Sequence, residues 1–234
     1  MTARLAAVAL ASSCFVAACA ARAPDARAPD PTQAEWDAAL ARLARLRAAL
    51  PRAPYTQPVT VDFFEPRSRR HFEGRGAVGV DPGRAMRMIL VGPAGEPALD
   101  VWVTRDAWRL VVPAIGLVRR GGRETPSGTP IGFFRSWFVD RLGGRLLSLG
   151  AGGELILRDP FGGTLHVTRA DASGFTIRRR SGTHTESFES QGGRASYRDE
   201  SSGLSVEVTL GPIGPEAPDP EAFSDPDAAK GRSP

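Results

Sequence analysis

From Tyr55 to Leu210 the apolar residues of this chain return at every second position, and that alternation restricts the fold to sheet. The runs are Val59, Val61 and Phe63; Phe72, Val78 and Val80; Met86, Met88 and Leu90; Leu99, Val101 and Val103; and Trp108, Leu110 and Val112. After residue 150 they resume with Leu155 and Leu157, Leu165 and Val167, Phe175 and Ile177, Phe188, Tyr197, and finally Leu204, Val206, Val208 and Leu210. Each run is bounded by Gly, Pro or Asp, and the connections are short, so the strands form an antiparallel meander. About eleven strands are expected, enough to curl a sheet strongly or close it into a barrel.

Two segments break the period. Thr32 and Glu35 have the spacing of a capping box, and Trp36, Leu40, Leu43, Leu46 and Leu50 follow at helical spacing until Pro51 stops the helix. The second break, Thr125 to Gly150, carries a plausible N-cap at Thr129, Pro130 at the first helical position and the terminator Gly143-Gly144. Ile131, Phe133, Phe134, Trp137, Phe138, Val139 and Leu142 make this helix apolar over a wider arc than one sheet-facing side requires. Either it is buried as core or it flanks a cavity. Met86 and Met88 carry the same two readings, since thioethers suit a variable hydrophobic pocket and also fill gaps in ordinary cores.

The N-terminus carries an address. Arg4 precedes the apolar run Leu5 to Val16, too short to span a bilayer, and Val16-Ala17-Ala18-Cys19 reads as a lipobox. An ordinary secretory cleavage at Ala18-Cys19-Ala20 is the alternative, but it leaves Cys19 without a purpose. Cys14 departs with the signal, so the mature domain has no thiol for a disulfide, a nucleophile or a metal. An acylated Cys19 would hold the domain to a membrane surface. The expected organisation is a signal peptide at 1–18, a lipidated cysteine and Pro-rich tether at 19–31, one domain at 32–210, and a disordered Pro/Asp-rich tail at 211–234. The tether repeats Ala21-Arg22-Ala23-Pro24-Asp25 as Ala26-Arg27-Ala28-Pro29-Asp30.

Charge and titratable residues argue against other classes. A net charge of +4 is small, and Lys230 is the sole lysine among 30 basic residues, with no basic helix or aromatic-basic sheet motif for nucleic acid. Arginine clusters at Arg67, Arg69 and Arg70, at Arg119, Arg120 and Arg123, and at Arg178 to Arg180 adjoin turn residues and read as solvated rims in preference to contacts with anionic lipid. His71, His166 and His184 lie in strand-like runs without metal-ligand spacing or a Gly-x-Ser-x-Gly partner. Neither Asp140 nor Asp159 has a companion nucleophile. No enzyme and no cofactor is expected.

The stretch Phe72-Glu73-Gly74-Arg75-Gly76-Ala77-Val78, followed by Met86-Arg87-Met88-Ile89-Leu90-Val91-Gly92-Pro93-Ala94-Gly95, resembles the Gly-rich strand and Gly-Pro-x-Gly turn of the LolA/LolB superfamily of bacterial lipoprotein carriers and acceptors. The order of elements from Thr32 to Leu210 is similar as well. The resemblance implies an α+β fold: an unclosed antiparallel half-barrel whose concave side is covered by the N-terminal helix and the inserted aromatic helix. It also implies attachment through Cys19 to the periplasmic face of the outer membrane, since Ala20 is not the Asp that retains lipoproteins at the inner membrane. One departure is plain. The lipid-anchored acceptor presents a large apolar residue on a protruding loop, where Gly92 to Ala98 offers only Gly, Pro, Ala and Glu.

On this reading the cavity is lined by Val78, Met86, Met88, Leu90, Val101, Val103, Phe133, Phe134, Trp137 and Phe138, and receives acyl chains such as palmitate or lipid-modified proteins in lipoprotein or lipid localisation. The competing class is an envelope adaptor whose helices pack tightly and whose outer surface binds a protein partner.

Overall fold

The computed structural model describes residues 30–66, 69–124, 126, 128–171 and 174–228. The signal peptide, Cys19 and nearly all of the tether lie outside the described residues.

Among the described residues thirteen strands form one antiparallel, unclosed sheet. Six run outward from the centre: β1 (Tyr55–Glu65), β2 (Arg70–Asp81), β3 (Ala85–Val91), β4 (Pro97–Thr104), β5 (Trp108–Val112) and β6 (Leu117–Gly121). Seven return from the far edge: β7 (Arg145–Leu149), β8 (Leu155–Arg158), β9 (Thr164–Asp171), β10 (Gly174–Ser181), β11 (His184–Gln191), β12 (Arg194–Asp199) and β13 (Ser205–Leu210). The two meanders join where β1 pairs with β13, with Val59 opposite Leu210 and Val61 opposite Val208. Strands β6 and β7 are left as the two edges.

The alternation reads correctly onto one face: Val78, Val80, Met86, Met88, Leu90, Val101 and Val103 are completely buried, while Arg87 and Ile89 between them are not. Gly76 is required for sheet geometry, because a Cβ there would stand 2.0 Å from the carbonyl oxygen of Ile89 on β3. The Gly92–Gly95 turn joins β3 to β4, its Gly95 N–H donating to the Gly92 carbonyl at 3.0 Å.

The count of thirteen corrects the expected eleven. β6, Leu-Val-Arg-Arg-Gly, is a mostly exposed edge strand whose arginines hide its period, and β7 lies within the break Thr125 to Gly150, just past the terminator Gly143-Gly144.

That helix is shorter than its sequence signals. α2 spans Ile131–Phe134 and continues as a π-helical turn over Arg135–Val139. Thr129 does not cap it; its hydroxyl donates to the Pro126 carbonyl at 2.8 Å, and Pro130 holds the cap position instead. The segment crosses from the β6 edge to the β7 edge, and its π-turn packs on β2, β3 and β4. Arg135 is completely buried in it, donating to the carbonyls of Thr104, Arg123 and Gly122 and lying over the Phe161 ring. Burial lowers its pKa to about 10, and the carbonyls satisfy the charge.

The N-terminal helix α1 (Gln33–Ala48) carries the expected capping box: the Glu35 amide donates to the Thr32 hydroxyl at 3.3 Å, and the Thr32 amide to the Glu35 carboxylate at 2.8 Å. Only Ala39 and Leu43 of α1 are fully buried. Leu40 is 43% exposed, because the contact stripe follows Trp36, Ala39, Leu43 and Leu46 and leaves Leu40 to one side.

Residues 211–228, part of the stretch expected as a disordered tail, run along the sheet in this structure. Gly211 and Gly214 donate to the carbonyls of Pro58 and Thr56, and a 3₁₀ turn, Pro220–Phe223, then packs on the sheet's outer face. Phe223 and Trp102 are both buried there, while Asp225 pairs with Arg120 and Asp227 with Arg109 and Arg120. The acidic, proline-rich composition that suggests disorder here supplies a strap whose carboxylates meet outward-facing arginines.

Candidate ligand-binding site

All ten residues expected to line a cavity do converge on one core. There all but Trp137 and Phe138 are completely buried. Phe133 and Phe134 are completely buried, and the Phe133 ring centroid lies 5.4 Å from Tyr197, 5.7 Å from Trp137 and 6.0 Å from Phe188. Beneath α2, between Trp137, Leu165, Phe175, Ile177 and Phe188, lies a void of about 10 Å³, room for at most one water. The aromatic helix supplies the filling of the concave face.

Open volume is found where α1 meets the sheet. A groove of about 850 Å³ has an apolar floor of Leu46, Leu50, Trp137, Leu142, Phe175 and Leu210, with Arg42, Arg45 and Arg141 among its walls. A neighbouring groove of about 480 Å³, lined by Arg47, Arg52, Tyr55, Arg105 and Asp140, shares Leu50, Trp137, Arg141 and Leu142 with the first. Of the expected residues only Trp137 and Phe138 reach this space.

Local sequence explains the arrangement. Trp137 lies in the π-helical turn and Arg141 in the turn that follows its end at Val139, with the guanidinium 4.5 Å from the indole ring and Nε donating to the Trp137 carbonyl at 3.0 Å. Phe175 of β10 stacks on Trp137 at 4.9 Å, so Arg141 also lies 5.4 Å from its ring. Leu142 then takes a φ of 58°, a conformation unfavourable for a leucine, and its carbonyl accepts from Arg47 Nε at 3.0 Å and Nη2 at 2.8 Å. The chain leaves through Gly144, whose φ is +97° and where a Cβ would stand 1.8 Å from the Arg158 carbonyl.

α1 is thus tied to the groove by few bonds: Arg47 to the Leu142 and Gly144 carbonyls, and Arg42 to the Gly153 carbonyl at 2.9 Å. Its apolar contact with the core comes from Trp36, Ala39, Leu43 and Leu46.

Burial governs the site's electrostatics. It lowers the Arg141 pKa, opposed by Tyr55, and raises that of Tyr55, opposed by Arg141. It also raises the Asp140 carboxyl, against the pull of Arg105, 3.5 Å away, and of Arg47. The site is cationic in balance.

Sequence reasoning missed Arg141, Arg47 and the wall contributed by Phe175. The histidines lie elsewhere: His71 is exposed beside Asp62, His166 is half-buried beside Glu154, and His184 faces Glu186 and Asp199. Among the described residues no helix is long and apolar enough to cross a membrane.

No family model matches the sequence, and no curated protein matches it. Solved structures similar to this chain include a LolA superfamily protein from Nitrosomonas europaea, at 12% identity and a TM-score of 0.49 over 80% of this chain and 97% of that one. Another is a domain from Vibrio parahaemolyticus named for outer membrane lipoprotein sorting, at 12% identity and a TM-score of 0.46 over 78% of this chain and 95% of that one.

Proposed function

We propose that this protein is an envelope lipoprotein, anchored through Cys19 at the periplasmic face of the outer membrane, that receives an acyl chain or the lipid-modified end of another protein beneath α1. The observation that carries the reading is the 850 Å³ groove, within the size range of small-molecule sites, with an apolar floor and a thinly attached helix above it. The filled interior moves the proposed binding place from the core to this groove. Burying roughly 300 Å² of chain at about 25 cal/mol per Å² contributes roughly 7 kcal/mol before association costs, enough for micromolar affinity without dedicated polar contacts.

The test is native mass spectrometry of the full chain carrying Cys19→Ser, together with titration of a fluorescent fatty acid. Co-purified lipid and a gain in emission that Phe175→Asp abolishes are expected. A lipid-free protein that leaves the probe dark sinks the reading.

The tight packing around Phe133 favours a second reading, an adaptor that binds an envelope protein through its surface and carries no lipid. Capture of one defined partner from membranes, unaffected by Phe175→Asp and unaccompanied by lipid, would select it.

A further inference from the structure

Arg141 is the one cation that both grooves share. Its Nε is engaged by the Trp137 carbonyl and its flat face rests near Trp137 and Phe175, yet among the described residues no carboxylate pairs with it. The two acids of the grooves are directed elsewhere, Asp140 toward Arg105 and Asp171 toward Arg169. The Trp137 indole N–H, buried with the residue, also lacks a hydrogen-bond partner. A half-buried guanidinium without a carboxylate partner is costly to maintain, and this one stands where an apolar floor meets a polar, arginine-lined recess. Arg42 and Arg45 on one side and Arg47, Arg52 and Arg105 on the other leave the surroundings strongly positive.

We infer that the groove's occupant is an anionic amphiphile, an acyl chain ending in a carboxylate or phosphate, with the chain along Leu46, Leu50, Phe175 and Leu210 and the head group on Arg141. This rests on the proposed chain-binding groove and adds the charge of its ligand. A guanidinium held by one edge keeps its outer N–H groups in the fork that matches two anionic oxygens. Stacking on two rings fixes its plane in advance, so little freedom is lost when the anion arrives. A neutral head group would leave the charge uncompensated.

The experiment compares palmitate, hexadecyl phosphate, hexadecanol and inorganic phosphate as competitors of a bound fluorescent fatty acid, using the full chain with Cys19→Ser. Both anionic amphiphiles should bind about tenfold or more tightly than hexadecanol, and inorganic phosphate should not compete. A tighter hexadecyl phosphate identifies a phosphate head, and a tighter palmitate a carboxylate. Arg141→Gln should erase the preference over hexadecanol, and Arg141→Lys should retain part of it. Should Arg141→Gln fail to fold, the wild-type protein decides alone: added salt should weaken palmitate and leave hexadecanol unchanged. Equal binding of palmitate and hexadecanol overturns the inference while leaving chain binding intact. Displacement by inorganic phosphate alone overturns it in favour of a simple anion site. If no amphiphile binds, the inference and the proposed function fall together.

Discussion

The indole N–H of Trp102 donates to the carbonyl of Phe223 at 2.9 Å, joining the outer face of β4 to a turn 121 residues further along the chain. Phe223 covers an aromatic residue that would otherwise face water from the convex side. Phe223→Ala should therefore destabilise the domain by about 2 kcal/mol, the scale of burying one large apolar side chain. Chemical denaturation measures the loss, and a red shift in tryptophan emission should accompany it. Unchanged stability and emission would mean that the strap does not cover the sheet in solution.

Arg179 pairs with Asp159 and Glu186, and the Tyr197 hydroxyl donates to Glu186 at 2.8 Å, all within the buried interior. Removing the cation strands two carboxylates without a counter-charge. Arg179→Ala should cost about 3–5 kcal/mol, and adding Glu186→Gln should recover part of it, because one buried charge is then removed. A loss below about 1 kcal/mol would show that water reaches the cluster.

His184 gives the domain a defined pH dependence. Its Nε2 lies 3.6 Å from Glu186 and its Nδ1 3.5 Å from Asp199, with Ser201 at 3.1 Å and Arg179 acting from β10. The interaction with Glu186 raises the imidazole pKa against the opposing effect of burial. A raised folded-state value stabilises fully below the ordinary histidine value of about 6.5 and is lost as pH climbs through the folded value. Burial alone would raise the Glu186 carboxyl, but His184, Arg179 and Tyr197 together hold it below its ordinary value. Its contribution persists above the usual carboxylate range and disappears as acid protonates it. Denaturation midpoints should fall as pH rises above the ordinary histidine value of about 6.5, and His184→Gln should flatten that slope. A midpoint rising over the same interval would reverse the assigned sign.

Phe133 separates core from site. Its ring packs against four other aromatic residues of the core, Trp137, Phe138, Phe188 and Tyr197, as well as its neighbour Phe134. Phe133→Ala should lower stability by about 3–5 kcal/mol through the cavity it leaves. Fatty-acid affinity should stay within twofold, since the proposed groove does not touch this ring. A large affinity change in the folded variant would return the ligand to the concave interior.

The period of two and the Thr32–Glu35 spacing are local properties of the chain, and they specified the strands' inward faces and the capped helix before any contact was known. Val78, Met86, Met88 and Val103 are buried as their alternation requires. The same pattern could not tell a filled trough from an empty one, because a side chain that lines a cavity and one that packs against Phe133 obey the same alternation. Three outcomes awaited tertiary structure: the aromatic helix filling the concave face, Asp225 and Asp227 reaching the arginines of the outer face, and Arg141 standing where the grooves meet. Periodicity is set by each residue's own neighbours in sequence, whereas volume, charge pairing and cover arise between segments more than a hundred residues apart or carried by different elements.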